Sequence, residues 1–547
     1  MGNNENPIRF RPIRPLDTAA LGQNHIVLTT LNARYIHASL GLRYLQANMG
    51  ELERATALIE FTINQRPLDI VEQLLDLSPK IIGFGIYIWN VRQSTEVIEL
   101  IKTIAPQITI VIGGPEVSYE YEETRIFSVS DYLITGQADL AFAQLCHGII
   151  TTNDTANLNS SSGTTSKAAV EKVTNATTPA TDQLTFPYYL YSENDLKNRI
   201  IYVEASRGCP FKCEFCLSAL DKTAWPFDTG QFLQQMDALY KRGARQFKFV
   251  DRTFNLKIKT CVAILQFFLD RTDNALFLHF EVIPDKLPDD LKALLKQFPS
   301  GTLQFEAGIQ SFDPEVQQTI SRKQNNPKSV ENLVWLRQHT TAYIHADLIF
   351  GLPGETQQSF ADGFNKLVEL NPQEIQVGIL KRLRGTAITR HTGSFDMRYS
   401  PSPPYQLLSN CNFSYTTLQR MQRFARYWDL ISNSGRFVNS RSLILAANPF
   451  NRFMQLSDWI YQHGGQTHRI AQLRLMELIY LGTTSLQLCE DSEIRNSLTK
   501  DYLLCGEKHP PRWLQDPTRI RLKNNCALPA IRSTPARQSR HVSQSPQ

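Results

Sequence analysis

The chain has 547 residues, too many for one hydrophobic core and enough for three or four domains of ordinary size. Its 42% apolar content is ordinary for globular domains, and no run reaches the ~18 continuous apolar residues of a helical membrane span, so an integral helical membrane protein is excluded. The formal charge of +5 is local: eight Lys or Arg against two Asp or Glu fall between Gly506 and Gln547, leaving the remainder near neutral and excluding a protein basic along its length.

Residues 1–22 carry no periodic pattern and no signal-peptide core, and read as a flexible leader of a cytoplasmic protein. From 23 to 150, short apolar runs at His25 to Leu31, Ala55 to Phe61, Lys80 to Tyr87, Gln107 to Ile112 and Asp131 to Ile134 alternate with amphipathic segments. That alternation predicts a five-stranded parallel sheet with helices on both faces, a Rossmann-like or flavodoxin-like α/β domain. Residues 151–195 begin with a Thr, Asn, Ser and Ala-rich stretch, including Ser160 to Gly163, which holds too little apolar surface to offset its ordering entropy. It reads as a linker or disordered insertion.

The alternation returns between 196 and 395, with candidate strands at Ile201 to Ala205, Gln246 to Val250, Leu276 to Val282, Leu303 to Ile309, Ile344 to Phe350 and Glu374 to Leu380. Six βα units predict a partial, open (β/α)6 barrel, whose ligands gather at the carboxyl ends of the strands. After the prolines at 401, 403 and 404, residues 405–505 show helical periodicity, as in Leu418, Met421, Phe424 and Trp428, and read as a mainly helical domain. Residues 506–547 read as a basic disordered tail. An RNA-binding arm is the sharper alternative, though no aromatic stacking pattern accompanies the charge.

One loop stands out chemically. Directly after the first barrel strand, Gly208 and Pro210 open a turn carrying Cys209, Cys213 and Cys216, with Phe215 before the third cysteine. Three thiolates at this spacing can occupy three corners of a [4Fe-4S] cluster, leaving one iron open to a ligand. A structural zinc site or three unrelated buried thiols are the alternatives, and zinc would call for a fourth Cys or His at its own spacing. The nine cysteines, odd in number and clustered at one loop, suit a reducing compartment better than a disulfide framework.

This loop resembles the cluster loop of radical SAM enzymes. The resemblance extends in order through Asp251 to Asn255, Gly308 to Ser311 and the Phe350-Gly351-Leu352-Pro353-Gly354-Glu355-Thr356 turn, over about residues 196–395. The subgroup it implies is that of the cobalamin-binding-domain enzymes, in a branch with an uncharacterised helical C-terminal domain. By the same resemblance Cys209, Cys213 and Cys216 ligate the cluster, the Phe215 backbone approaches adenine, and Asp251, Glu306, Gly351 and Gly354 lie near S-adenosylmethionine. Glu306 and Asp347 each have an equally plain reading as structural rim carboxylates satisfied by Arg or backbone partners.

In the first domain, Gly83 to Asn90, with Tyr87, and Gly113-Gly114-Pro115-Glu116-Val117-Ser118 resemble the turns at which such domains hold cobalamin. One motif departs from that pattern. Where a cobalt-ligating histidine follows Asp-x-His-x-x-Gly, this chain has Tyr35-Ile36-His37-Ala38-Ser39-Leu40-Gly41, so the acid that would orient the ring is a tyrosine. Cobalamin held without His37 is the expectation, with a domain that has lost cobalamin as the alternative.

The resemblance implies an enzyme that reductively cleaves S-adenosylmethionine to abstract hydrogen from an unactivated carbon, with cobalamin-dependent methyl transfer and an electron donor of the flavodoxin or ferredoxin type. Radical rearrangement or cyclisation without cobalamin, and a non-catalytic cluster and corrinoid redox sensor, are the other readings.

Overall fold

The structure, a computed structural model, describes residues 25–158, 171–221, 223–511 and 514. The leader (1–22), the Ser160 to Gly163 run and all of the basic tail beyond residue 514 lie outside the described residues. The chain divides into two compact units, Met1–Tyr191 and Ser192–Gln547. Among the described residues no helix is long and apolar enough to cross a membrane.

In the first unit, strands β1 (Ile26–Asn32), β2 (Thr56–Thr62), β3 (Ile81–Gly85), β4 (Thr109–Gly113), β5 (Tyr132–Thr135) and β6 (Val173–Asn175) form one sheet, in the order β2-β1-β3-β4-β5-β6. Every pairing is parallel. Such a sheet must be covered on both faces. Val27 and Leu31 pack with Ile70, Val71, Val97 and Ile101 on one side, while Ile26 and Leu28 pack with Leu42, Phe142 and Leu145 on the other.

The sheet has six strands where the sequence pattern predicts five. β6 is a three-residue edge strand inside the stretch expected to be a linker, paired through Leu133, Ile134 and Thr135. Its Thr and Asn carry no apolar signal, because an edge strand buries little. The same stretch holds buried Tyr188 and Tyr191 and a short helix, Glu193–Asn198, whose Ser192 cap accepts from Asp195 N at 3.1 Å.

In the second unit, strands β7 (Ile201–Val203), β8 (Gln246–Phe249), β9 (Phe277–Val282), β10 (Leu303–Gln310), β11 (Tyr343–Phe350) and β12 (Glu374–Ile379) lie side by side in chain order, all parallel. This is the expected open six-stranded barrel. Side chains alternate between faces with period two. Phe247, Phe249 and Phe280 join Phe254 and Phe268 in an aromatic cluster on one face. The other parity carries polar groups in register: Tyr202 opposite Lys248, Lys248 opposite His279, Glu281 opposite Glu306, and Glu306 opposite His345.

The proline-rich segment turns an antiparallel ribbon, Arg398–Tyr399 with Leu407–Ser409, and Leu407 N bonds Leu380 O at 2.9 Å just past β12. Five helices follow, Tyr415–Ile431, Val438–Leu445, Pro449–Gly464, Gln472–Ser485 and Asp491–Leu504. Their core of Phe424, Trp428, Phe450 and Phe453 packs against Phe364 of the barrel helix Gln357–Leu370. Asn433 occupies the free edge of β12, accepting from Ile375 N at 3.0 Å and donating to Ile375 O at 2.9 Å. An exposed parallel edge is thereby capped. Leu514 is fully buried and its carbonyl accepts from Thr499, so the folded region reaches past residue 505.

Candidate active site

The cysteine loop leaves β7 through a short ribbon, Ser206–Arg207 paired with Trp225–Pro226. Gly208 has φ +86°, and a Cβ there would meet Thr223 O at 2.1 Å, so only glycine fits this corner. Cys209 N bonds Asp221 O at 3.3 Å, and Cys216 N bonds Cys213 O at 3.1 Å, closing a tight turn between the second and third cysteines.

All three cysteines line one cavity of about 250 Å³ at the carboxyl end of the barrel. Phe211, Phe215, Ile283 and Pro284 give it apolar walls, and Arg252, Glu281, Glu306, Arg322 and Asp347 give it charge. Cys209 and Cys213 are buried and Cys216 is half-buried. Burial pushes the Cys209 and Cys213 thiols up, and Arg322 opposes this at Cys213, where its guanidinium donates to Sγ at 3.5 Å. A donor aimed at a thiol, in a pocket of three cysteines open on one side, fits a cluster that carries negative charge. Among the described residues no three His, Cys, Asp or Glu side chains are grouped closely enough to hold a single metal ion.

The polar groups are ordered in pairs. Arg252 grips Glu281 with contacts of 2.9 and 3.1 Å. Glu306 lies 3.1 Å from His279 Nε2 and 3.7 Å from Lys248 Nζ. Burial alone would raise the Glu306 carboxyl, but the His279 contact and the Lys248 charge outweigh it and hold it below the usual range. His345 sits 3.2 Å from Asp347 and 3.9 Å from Glu374. Burial lowers its imidazole, yet these carboxylates carry it up to about 9.

The expected S-adenosylmethionine residues separate into two groups. Phe215 and Glu306 line the cavity. Asp251 does not: it borders a smaller neighbouring hollow, and its carboxylate accepts from Ala205 N at 3.0 Å and Ser206 Oγ at 2.6 Å. Burial raises this carboxyl to about 7, against the pull of those two donors. The loop's own amide and hydroxyl claim the side chain, which leaves it bracing the strand end from behind. Gly351 and Gly354 likewise stand outside the cavity wall. Gly351 N donates to the buried Glu355 at 2.8 Å, and its α-carbon faces Leu407 of the C-terminal ribbon. Residues that sequence reasoning did not assign, Arg252, Glu281, Arg322 and Asp347, supply most of the charge. Period-two alternation from His279 to Glu281 and from His345 to Asp347 was the available signal for two of them.

In the first unit the strand order reverses between β1 and β3, the topological switch point at which parallel sheets bind ligands. The turns after these strands carry exposed Tyr35, Ile36 and Trp89, and Trp89 stacks on Tyr87 at 4.5 Å with planes 7° apart. Beside them, Gly114 (φ +114°) lies against the β3 turn so closely that a Cβ would meet Ile86 O at 2.5 Å. Ile86 N bonds Gly113 O at 2.8 Å, Ser118 Oγ donates to Gly114 O at 2.9 Å, and Gly136 N donates back to Ser118 Oγ at 3.2 Å. Three βα turns are thus knitted into one low shelf, with Pro115 and buried Glu116 within it. A shelf without side-chain relief, beside a stacked aromatic pair whose Trp89 is exposed and whose Tyr87 is half-buried, fits a large planar ligand such as a corrin. His37 is half-buried beside the exposed Tyr35.

Residues 26–146 match the B12 binding domain family, 203–367 the radical SAM superfamily, and 393–539 a family described as a protein of unknown function, DUF4080. The first match holds the glycine shelf and the second the cysteine cavity. The chain carries a B12 binding domain and a radical SAM domain.

The chain is 24% identical to the cobalamin-dependent radical SAM methyltransferase TokK of Streptomyces tokunonensis, over 60% of the chain and 51% of the relative. It is 25% identical to the 2-(S-pantetheinyl)-carbapenam-3-carboxylate methyltransferase of Streptantibioticus cattleyicolor, over 57% and 49%. The chain thus spans about half the length of these curated relatives. Among solved structures, the cobalamin-dependent radical enzyme OxsB with aqua-cobalamin bound superposes with a TM-score of 0.60 at 14% identity, covering 88% of this chain and 84% of that one. The methyltransferase TsrM of Kitasatospora setae, with cobalamin and a [4Fe-4S] cluster, gives 0.54 at 14% identity, over 70% and 82%. These likenesses show the fold. The radical SAM family implies a [4Fe-4S] cluster, S-adenosylmethionine and a source of electrons, and the B12 binding domain implies cobalamin. Part of the stretch expected to be a basic tail falls within the third family match, which runs to residue 539.

Proposed function

We propose that the protein is a cobalamin-dependent radical SAM methyltransferase acting at an unactivated carbon. The observation that carries this reading is the convergence of Cys209, Cys213 and Cys216 on a single charged cavity, in a chain that also holds a B12 binding domain. When bound, the cluster supplies an electron to the sulfonium, S-adenosylmethionine the adenosyl radical, and cobalamin a transferable methyl group.

Within this reading the three cysteines hold the cluster and Arg322 partners its thiolate charge. Arg252 with Glu281, and His279 with Glu306, present fixed charges to a zwitterionic sulfonium ligand, so that little reorganisation accompanies reaction. Phe211, Phe215, Ile283 and Pro284 exclude water from the radical. Asp251, Gly351 and Gly354 act from behind, keeping the strand ends in place. Tyr87, Gly113, Gly114, Pro115, Glu116 and Ser118 would hold the corrin on their shelf, with His37 left out of its ligation. An electron donor of the flavodoxin or ferredoxin type and a reducing, cytoplasmic setting complete the reading.

Anaerobic incubation of the cluster- and cobalamin-loaded full chain with S-adenosylmethionine and a reductant tests it. Both 5′-deoxyadenosine and S-adenosylhomocysteine are the expected products. The first without the second would leave radical chemistry that transfers no methyl group.

A further inference from the structure

Glu214 stands between two of the three cysteines and is 3% exposed. It occupies a corner of the turn closed by Cys216 N on Cys213 O. A buried carboxylate is costly unless ionic and hydrogen-bonding partners meet it. Here they do, and none belongs to the loop. Ser321 Oγ donates to Oε1 at 2.5 Å, Arg390 pairs with the same oxygen, and His391 Nε2 lies 2.8 Å from Oε2.

The backbone of Glu214 is held by the same two segments. Its N–H bonds Ile320 O at 3.1 Å, and its carbonyl accepts from Ile388 N at 2.9 Å. Ser321 adopts φ +54°, a conformation uncommon for a side-chain-bearing residue, where its hydroxyl bonds the carboxylate. Arg322, next in sequence, is the residue that donates to Cys213 Sγ. The segment Ala387–His391 lies after the radical SAM family match and before the C-terminal one.

We propose that Glu214 is a positioning residue for the cluster, through which Arg390 and His391, at the entry to the C-terminal domain, hold Cys213 and Cys216 in ligating geometry. This rests on the cluster reading of the cysteine loop. It gives the segment leading into the C-terminal domain a part in cluster retention. Partners that orient metal ligands typically change metal affinity about 10- to 100-fold when removed.

The test uses the anaerobically reconstituted full chain, wild type against Glu214→Gln, His391→Ala and His391→Gln. Its readouts are the rate at which a chelator strips iron and the change in the electron paramagnetic resonance spectrum of the reduced cluster on adding S-adenosylmethionine. Glu214→Gln and His391→Ala are expected to keep the wild-type circular dichroism spectrum, to lose iron about 10- to 100-fold faster, and to show an altered response to S-adenosylmethionine. His391→Gln, which retains an N–H donor, is expected to restore much of both. A clustered wild type whose Glu214→Gln and His391→Ala variants hold iron and respond as it does overturns the proposal alone. A wild type that takes up no cluster overturns the reading beneath it as well.

Discussion

Replacing Gly114 by alanine perturbs the carboxyl edge of the first unit at a single point. The residue has φ +114°, where an L-side chain is strained by about 1–3 kcal/mol. The new Cβ would also stand 2.5 Å from Ile86 O and 3.0 Å from Ile86 N. Both are backbone atoms of the neighbouring turn and cannot rotate away, so overpacking adds about 1–3 kcal/mol. If relaxation of the turns recovers half of the combined penalty, about 1–3 kcal/mol remains, equivalent to about a 5- to 150-fold loss of affinity for a ligand that needs the unrelaxed shelf. Gly50 is the matched control. It has φ +58° with nothing within 4 Å, so Gly50→Ala carries backbone strain without a clash. Spectral titration with hydroxocobalamin is the assay. Gly114→Ala is expected to bind at least 5-fold more weakly than wild type, and Gly50→Ala to match wild type. Equal affinity in all three proteins would refute the shelf as the corrin site.

Other consequences follow from the same geometry. His37→Ala is expected to change hydroxocobalamin affinity little, because exposed Tyr35 replaces the acid that would orient a ligating ring; a large loss in the same titration would restore axial ligation. Asp251→Ala removes the acceptor for Ala205 N, and leaving that amide unsatisfied costs about 1–3 kcal/mol, read as a lower thermal midpoint and slower cluster uptake. Asp251 also titrates at about 7 in the folded chain, above its unfolded value, so its ionisation opposes folding: stability falls as pH rises from about 4 to 7, and Asp251→Asn is expected to flatten that decline. His345 has the opposite sign. Its folded value of about 9 exceeds the unfolded 6.5, so its contribution is complete below about pH 6.5 and disappears as pH rises through 9, a dependence that His345→Gln is expected to abolish in urea unfolding across that range.

The strands were legible because each is a short apolar run bounded by turn residues, and eleven of the twelve strands numbered here lie within a residue or two of where periodicity puts them. β6 was hidden because Val173–Asn175 is a polar edge strand with a single apolar residue. The cysteine spacing was legible because ligands of one cluster must come from one short loop. Side-chain direction was not. Asp251 falls at a strand end as expected, yet the amide of Ala205 and the hydroxyl of Ser206 turn it away from the cavity. Long-range pairing left no local trace either: His391 meets Glu214 from 177 residues away, and Asn433 caps β12 from a helix end whose pattern reads only as helical. The register that sets Glu306 beside His345 exists only once β10 and β11 pair.

The most direct measurement is 5′-deoxyadenosine produced from S-adenosylmethionine by the reconstituted, anaerobically reduced full chain, compared with Cys209→Ala, Cys213→Ala, Cys216→Ala and, as a buried cysteine away from the loop, Cys261→Ala. Wild type and Cys261→Ala are expected to make the nucleoside, and the three loop variants to make none while losing cluster iron. Production that persists in Cys213→Ala, or a wild type that binds its cluster and S-adenosylmethionine yet forms no 5′-deoxyadenosine, would contradict the assignment of the cysteine cavity as a radical SAM centre.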